Sequence, residues 1–303
     1  MAVTLRRSES GTQGLRRIVR KQIAKAREAL DDKKLSDEAV HSARKELKKA
    51  RATLRLLREA LGDAVYRREN AALRDAARPL SDVRDAKVLL DTLDRTVHRY
   101  GAPARSLPLD GFRQALREEY AATRRRILER PNALKLQRDA LCRIVERSAH
   151  WPVGNHGWSV IGAGLKRVYR QGRKAFATSQ AVPSPENLHE WRKQVKYLWH
   201  QLQVLTPLRP GAIGKRADRA HKLADCLGDH HDLSVLRTKV ADMADAFPDA
   251  ASRNALLAVI DRSRTKLQDK AFVLGRRVYE KKPSAFSTRF GQYWRDWHRK
   301  RSS

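Results

Sequence analysis

Cysteine and long apolar stretches are what this chain of 303 residues has least of. Its 2 cysteines, Cys142 and Cys226, lie far apart and fit no metal-binding spacing. We therefore interpret both as reduced, half-buried small hydrophobic residues, which predicts a reducing, cytoplasmic compartment. No apolar run approaches the roughly 18 residues that a membrane span needs, and no signal-peptide core is present, so we predict no membrane span.

Negative charge is also scarce. The chain has 65 Lys and Arg against 34 Asp and Glu, which gives a formal net charge of +31 at pH 7. Such an excess makes the compact state repel itself, so we expect an anionic partner. Nucleic acid, polyphosphate and an anionic membrane surface are all compatible with the composition.

What the chain does contain favours helices. Apolar residues make up 41% of it and charged residues 33%, in a regular spacing that argues against disorder. Ala, Leu, Arg and Lys fill long stretches, and the 11 Pro and 15 Gly lie mainly between them. The Arg-rich N-terminal segment is similar to a transit peptide, but a related segment recurs inside the chain, so we assign it to the fold.

The two halves of the chain are similar in four places at a nearly constant offset. The matched segments are Leu15–Arg20 with Leu165–Arg170, Ser36–Lys45 with Ser184–Lys193, Leu80–Leu89 with Leu227–Leu236, and Arg124, Arg125 and Pro131 with Arg276, Arg277 and Pro283. Four collinear matches predict an internal duplication, with copies over residues 12–150 and 158–300. Between the copies, Pro152, Gly154 and Gly157 interrupt the helical periodicity.

Each copy is predicted to form about four helices. The ranges are 12–31, 37–61, 64–100 with a candidate break at Pro79, 109–149 with a break at Pro131, 158–179, 185–206, 212–246, and 251–299 with a break at Pro283. Four helices with short connections are typical of a bundle. The predicted fold is therefore all-α, with two four-helix bundles from an internal duplication related by a pseudo-two-fold axis.

The second predicted helix of each copy has an apolar side and a cationic side that faces away from it. Ser36 and Ser184 are suited to cap the two helix starts. A strip that extends from His41 to Arg55 is about 21 Å long, which suits an extended polyanion better than a single phosphate group. The cationic strips consist of His41, Arg44, Lys45, Lys48, Arg51 and Arg55 in the first copy and of His189, Arg192, Lys193, Lys196 and His200 in the second.

Acidic residues do not interrupt the strips, although solvated helix faces usually carry i,i+4 ion pairs. The like charges therefore repel one another unless an anion binds. His41 and His189 stand at the start of each strip, where an imidazole can donate a hydrogen bond to a phosphate oxygen. We predict that both contact the ligand.

The first predicted helix of each copy supplies further cationic candidates, which their apolar neighbours place mostly outward. These candidates are Arg16, Arg17 and Arg20, and then Lys166, Arg167 and Arg170. Whether they join the same surface depends on packing that the sequence does not show. Weaker candidates are Arg124, Arg125, Arg276 and Arg277.

Two pairs of aspartates recur as well, Asp82 with Asp85 and Asp229 with Asp232. Because carboxylates repel phosphate, we predict that these aspartates do not contact the ligand. Instead, they orient the Arg and Lys side chains that do. Helix capping or a structural salt bridge explains these aspartates equally well.

A metal site is the tempting interpretation of His230-His231-Asp232. The first copy has Val83-Arg84-Asp85 at the same place, and an Arg does not ligate a metal. We therefore predict no metal and no other cofactor.

The chain resembles the CHAD family, a helical domain named for its histidines. The resemblance rests on two His-x-x-Arg-Lys-x-x-Lys segments, from His41 and His189, and on two Leu-x-Asp-x-[Arg/His]-Asp-x-x-Val-Leu segments, from Leu80 and Leu227. It covers roughly residues 12–300. Each motif alone is only moderately specific, but two copies of each in the same order are strongly so.

The resemblance implies two four-helix bundles and a basic surface that binds inorganic polyphosphate, in association with polyphosphate granules. Implied ligand contacts are His41, Arg44, Lys45, Lys48, His189, Arg192, Lys193 and Lys196. The halves differ at one point, since Arg51 and Arg55 correspond to Trp199 and Gln203. Some members of the family carry a triphosphate tunnel domain with a Glu-x-Glu-x-Lys motif, which this chain lacks, so we infer no attached catalysis.

Polyphosphate binding without catalysis is thus the first hypothesis, and nucleic-acid binding is the alternative. Base stacking needs aromatic residues among the basic ones, and Trp199 and the tail from Tyr293 to Arg301 come nearest to that pattern. We expect the tail to pack its tryptophans on the bundle instead. A phosphohydrolase is the third hypothesis, but the chain lacks a nucleophile motif and a Gly-rich phosphate loop. Oligomeric state and preferred chain length stay open.

Overall fold

A computed structural model describes residues 3–31, 35–100 and 107–299 of the chain. These residues contain ten α-helices and no strand, which confirms the all-α fold class. The helices are α1 Gly11–Leu30, α2 Asp37–Leu54, α3 Arg58–Tyr100, α4 Asp110–Leu128, α5 Lys135–Ser148, α6 Trp158–Ala181, α7 Pro185–Leu205, α8 Pro210–Asp242, α9 Ala250–Val278 and α10 Pro283–Arg299.

Serine caps begin the two helices that carry the cationic strips. The Oγ atoms of Ser36 and Ser184 each accept a hydrogen bond from the backbone N–H three residues later, at 3.1 and 3.2 Å. Both predicted starts are therefore confirmed, since a capping serine satisfies one of the free N–H groups of a first turn. α2 ends earlier than predicted, at Leu54, and Gly62 with a φ of 71° interrupts the start of α3.

Proline ends a helix at two of the three predicted places. Pro131 lies between α4 and α5, and Pro283 is the first residue of α10. The candidate break at Pro79 is wrong, because α3 continues through it. Leu73 and Leu80 are fully buried on either side of Pro79, and continued burial of this face outweighs the roughly 3 kcal/mol that an internal proline costs.

Helices pack in the same order in the two halves of the chain. α1, α2 and α3 pack one on the next with α4 and α5 against α3, while α6, α7, α8 and α9 form a second series with α10 against α6. This order agrees with the predicted duplication, which stays a prediction together with the boundaries 12–150 and 158–300. The predicted interruption between the copies lies in the non-helical segment between α5 and α6.

The two halves share one hydrophobic core and touch along α2 and α7. Gln201 of α7 is buried, and its Nε2 donates a hydrogen bond to the carbonyl oxygen of Ala52 in α2 at 3.0 Å. Gly164 of α6 packs so closely that a Cβ atom there would lie 2.7 Å from the Cα of Leu56. The hydrogen bond joins α7 to α2 directly, and Gly164 brings α6 against the segment that follows α2, so the two cationic strips lie on neighbouring helices.

Several smaller expectations are also resolved. Cys142 is half-buried and Cys226 is buried, and neither forms a disulfide. In the tail Trp297 is buried, as expected, and Trp294 is half-buried near Trp158; the tail residues 300 and 301 lie outside the described part of the chain. None of the helices in the described ranges has the length and apolarity to cross a membrane.

Glu69 is a buried carboxylate that the sequence did not single out. Its side chain lies in α3 with no exposed area. It accepts hydrogen bonds from Nε and Nη2 of Arg147 in α5 at 2.9 and 2.8 Å, and from Nε of Arg68 at 2.9 Å. This bidentate contact ties α5 to α3.

Replacing Glu69 should destabilise the first half of the fold. Glu69→Ala leaves the guanidinium of Arg147 without its carboxylate, so we expect the free energy of unfolding to fall by about 2–4 kcal/mol. Asp75→Ala removes an exposed partner of Arg74 and should change that free energy little. Urea unfolding of both variants checks this, and similar losses for the two would contradict a structural role for Glu69.

Candidate anion-binding groove

Four cations meet where α2 of the first half packs against α7 of the second, and we call the surface that carries them the groove. Arg44 and Lys48 come from α2, and Arg192 and Lys196 come from α7; we call these four residues the central cluster. Burial, followed by the charges of Arg44, Lys196 and Arg192, lowers the pKa of Lys48 to about 7. Burial and then the charge of Arg192 lower the pKa of Lys196 to about 8, while Asp232 opposes the shift. Both lysines are thus partly neutral near neutral pH.

At the centre of the strips the two arginines and Lys196 are partly covered by protein, whereas Lys48 keeps accessible surface beside the protein atoms that desolvate it. Only 11% of the Arg44 side chain is exposed, and Arg192 and Lys196 are half-buried, while Lys45, Lys48 and Lys193 stay exposed. The expectation of two outward strips is therefore corrected at their centre. His200, expected on the cationic side of α7, is buried instead, at 6% exposure. A helical projection cannot show this, because the packing partner decides which part of a polar face is covered.

Each arginine of the central cluster has one unused hydrogen-bond donor. The Nε atoms of Arg44 and Arg192 are buried and have no partner among the described residues. A buried donor without an acceptor is costly, and most such groups in proteins are paired. The two donors lie on neighbouring helices, α2 and α7, and belong to residues of the central cluster.

The histidines that begin the two strips both have lowered pKa values, and burial is the largest cause for each. Nδ1 of His189 lies 3.2 Å from Nδ1 of His231 in α8, so these atoms share at most one proton. Burial, followed by the charge of Arg192, lowers the pKa of His231 to about 3. His41 is exposed, and burial followed by the charge of Arg84 lowers its pKa. A bound anion would favour the charged form of each ring.

The far end of the first strip is held by aromatic and amide groups. Arg55 lies 4.0 Å above the ring of Tyr197, and its Nη1 donates a hydrogen bond to the hydroxyl of Tyr66 at 2.8 Å. Arg51 Nε donates to Oδ1 of Asn70 at 3.1 Å. These two arginines thus continue the strip beyond the central cluster in fixed orientations.

The second strip has no such extension. Trp199 takes the place of a cation there and stacks with His200 and with His221, at centroid distances of 4.5 and 4.1 Å. The asymmetry noted in the sequence between Arg51 and Trp199 therefore has a structural counterpart.

The candidates from α1 and α6 do not join the central cluster. Arg16 donates to the carbonyl oxygen of Ala149 at 3.3 Å, and Arg17 pairs with Glu9. Arg167 pairs with Glu59, and the charges of Arg58, Arg170 and Arg55 help burial to lower its pKa, so it lies near the far end of the first strip. No ion pair within the described residues involves Arg20, Lys166 or Arg170. A role in ligand binding stays a prediction for all six.

The weaker candidates also lie apart from the groove charges. Arg124 is engaged by the start of α2, where its Nη2 donates to the carbonyl oxygen of Leu35 at 2.7 Å and its Nη1 to Asp37 at 3.3 Å. Arg125, Arg276 and Arg277 are exposed at the ends of α4 and α9.

The four aspartates lie inside α3 and α8, which excludes helix capping. Asp85 accepts a hydrogen bond from Arg44 Nη2 at 3.1 Å, as expected for an orienting carboxylate. Asp232 lies 3.9 Å from Arg95 and is the largest opposing charge on Arg192. Burial raises the pKa of Asp229, whereas Asp82 is exposed and has no ion pair within the described ranges.

Sequence reasoning missed Asp225, which lies one helical turn before Asp229. Its charge raises the pKa values of Arg192 and Lys196 against the lowering effect of burial. The i,i+4 spacing to Asp229 was the available signal, but this position falls outside the duplicated motif. Tyr66 and Asn70, which hold the far end of the first strip, carry no sequence signal of that kind.

The fold and the groove together define an all-helical domain in which two packed helices contribute cations to one site. A profile of the CHAD domain family matches residues 16–241, which include both strips. The chain therefore belongs to the CHAD family, which is linked in general to polyphosphate binding.

One solved structure supports the same fold. The crystal structure of the CHAD domain from the plant Ricinus communis is similar over 92% of this chain and 95% of that chain, with a TM-score of 0.62 and 16% sequence identity. At that identity the similarity shows the fold alone. No curated protein matches the sequence.

Lys48 should destabilise the protein when no anion is bound. Because its pKa is lowered in the folded state, its protonation favours unfolding, fully below pH of about 7 and progressively less as the pH rises toward the unfolded value near 10.4. We expect Lys48→Met to raise the melting temperature, and to raise it more at about pH 6 than at about pH 9. Thermal unfolding without polyanion measures this, with Lys45→Met as the exposed control on the same helix.

A rise of the same size for both variants would contradict the crowding of charges around Lys48. So would a Lys48→Met effect that does not depend on pH.

Proposed function

We propose that the chain binds inorganic polyphosphate in the groove between α2 and α7, and that it does so without catalysis. The observation that carries the proposal is the central cluster, in which Arg44, Lys48, Arg192 and Lys196 crowd together while two buried Nε donors stay unused. Phosphate oxygens satisfy both needs at once, because they neutralise the cations and accept charge-assisted hydrogen bonds. Membership in the CHAD family agrees with this ligand.

A linear polyanion fits this arrangement better than a single phosphate. The cations continue from the central cluster through Arg51 to Arg55, which is about 16 Å of helix from Arg44. Successive phosphates of one chain can therefore meet both helices and the far end of the first strip together. We propose that such a ligand also joins the halves, since it contacts α2 and α7 at once.

The alternative function is nucleic-acid binding, and the contacts of the aromatic residues argue against it. Tyr197 lies under the guanidinium of Arg55, and Trp199 stacks with His200 and with His221. Rings that already stack with neighbouring side chains are less available to a base. We therefore propose recognition of phosphates alone, in the cytoplasm and in association with polyphosphate granules.

Removing the two groove arginines should weaken binding specifically. Arg44→Ala with Arg192→Ala deletes both unused donors, so we expect the affinity for long-chain polyphosphate to fall at least about tenfold and its salt dependence to become shallower. Arg276→Ala with Arg277→Ala removes the same charge from an exposed site and should have a much smaller effect. Fluorescence titration at two salt concentrations makes the comparison; equal losses for the two pairs would place binding outside the groove.

Binding should take up protons. A polyanion favours the ammonium form of Lys48 and Lys196, whose pKa values are lowered to about 7 and about 8 in the free protein. Affinity is therefore expected to fall as the pH rises above these values, while the histidine rings account for any further change below them. Lys48→Arg with Lys196→Arg keeps the charge at every pH and should flatten the profile. Calorimetry in buffers of different ionisation enthalpy counts the protons directly.

Competition separates the two ligand classes. Labelled long-chain polyphosphate is displaced by unlabelled polyphosphate, duplex DNA, single-stranded RNA or triphosphate, each at matched phosphate concentration. We expect polyphosphate to displace the label best, because its phosphates are closely spaced and carry no bulky groups between them. Equal displacement by DNA would overturn the proposed ligand, and release of phosphate during the titration would overturn the absence of catalysis.

A further inference from the structure

A second group of arginines lies where α2 ends and α6 packs against the first half of the chain. Arg55 follows the last residue of α2, Arg58 begins α3, and both remaining members lie on α6. We call these residues the end cluster; its members are Arg55, Arg58, Arg167 and Arg170. Arg55 lies about 16 Å along the helix from Arg44, so the end cluster is separate from the central cluster.

A close backbone contact brings α6 to this place. A Cβ atom at Gly164 would lie 2.9 Å from the carbonyl oxygen of Arg55, which is too close for a larger residue. Arg167 follows about one turn later on the same side of α6, and its Nη2 pairs with Glu59 in the first turn of α3. The contact therefore places Arg167 near Arg55 and Arg58, whose charges act on it.

Aromatic rings position the two arginines of the first half. Nη1 of Arg55 donates a hydrogen bond to the hydroxyl of Tyr66 at 2.8 Å, and its Cζ lies 4.0 Å from the centroid of the Tyr197 ring. Cζ of Arg58 lies 5.0 Å from the centroid of the Tyr66 ring, and its Nε donates to Oδ1 of Asp63 at 2.8 Å. Because both arginines contact Tyr66, this ring fixes one relative to the other.

Two guanidinium nitrogens of the end cluster have no acceptor. Nε of Arg55 and Nη1 of Arg167 are buried and lack a hydrogen-bond partner among the described residues. The cluster still has accessible surface, since 29% of the Arg58 side chain and 22% of the Arg167 side chain are exposed, and Arg170 is exposed as well. An anion that reaches these side chains can supply the acceptors that the protein does not.

The charges at the end cluster favour a single phosphate group over a chain that continues past it. Its four arginines outnumber the two carboxylates that pair with them, Glu59 and Asp63, so positive charge remains in excess. Both carboxylates are partly exposed beside the arginines and would repel further phosphates. A terminal phosphate group avoids this repulsion, and near neutral pH it carries about 1.5 to 2 negative charges, against about one for an internal phosphate.

We propose that the end cluster is a second binding site, which takes a phosphate group with about two negative charges. Such a group is the terminal phosphate of a polyphosphate chain or free orthophosphate, and both offer the same oxygens to the arginines. For a polyphosphate chain the inference rests on the proposed function, because a chain held in the groove would place one end here. The protein would then recognise the ends of chains as well as their length.

Linear triphosphate and cyclic tetraphosphate are the probes that test the proposal. Both carry about four negative charges at about pH 7.5, but only the linear compound has terminal phosphates. Titration calorimetry on the full chain, without divalent metal ions, measures the two affinities. We expect linear triphosphate to bind at least about fivefold more tightly. Orthophosphate that competes with the linear compound alone would identify free phosphate as a second ligand of the site, and no competition would restrict the site to chain ends.

Variants of one arginine assign this preference to the end cluster. Arg167→Gln deletes one charge and one unused donor, so it should abolish the preference for the linear compound. Arg167→Lys keeps the charge but has a single nitrogen, and it should reduce the preference by an intermediate amount. Arg262→Gln removes an exposed charge from α9 and should change nothing. The melting temperature of each variant shows whether its fold is intact.

A further variant separates the two proposals. Arg44→Ala with Arg192→Ala should weaken binding in the groove and keep the preference for the linear compound. The end cluster is ruled out if the two probes bind equally well to the unaltered protein, or if Arg167→Gln and Arg262→Gln have the same effect. If long-chain polyphosphate fails to bind while the preference still depends on Arg167, the proposed function is overturned and the end cluster is not.

Discussion

Repulsion between like charges in the groove is the interaction on which the rest of this structure depends. The contacts of Gln201 with Ala52 and of Gly164 with Leu56 join the two halves, and where α2 meets α7, burial and the neighbouring cations make Lys48 and Lys196 easier to deprotonate. The shared hydrophobic core supplies the free energy that keeps the helices together. An anion removes the repulsion where it makes its contacts, so instability of the free protein and affinity for a ligand have the same origin.

Carboxylates limit this repulsion without removing it. Asp85 is the acid that hydrogen-bonds a cluster arginine directly, and 68% of its side chain is exposed. An ion pair that is so accessible to water contributes little, so Arg44 is easily released to a stronger acceptor. Asp232 and Asp225 act on Arg192 and Lys196 from α8 through their charge. The acids therefore keep the cations ordered and leave the groove positive.

The two halves contribute unequally to the groove. On the first strip, Arg51 and Arg55 continue the positive charge and are fixed by Asn70, Tyr66 and Tyr197. On the second, Trp199 ends it. A polyanion bound at the central cluster, as proposed, would gain further contacts in one direction only, toward the end of α2. Because of this asymmetry, the cationic surface extends further toward the end of α2 than toward the end of α7.

Local signals in the sequence determined the helical class, the capped starts of α2 and α7 at Ser36 and Ser184, and the residue types of both strips, because each depends on neighbours within a few positions. The sequence did not show that Pro79 would stay inside α3 or that His200 would be buried, since partners distant in the chain decide both. Only the tertiary structure brought Arg44 and Lys48 beside Arg192 and Lys196. Their lowered lysine pKa values arise from that meeting, because burial and repulsion depend on distances that a linear sequence does not contain.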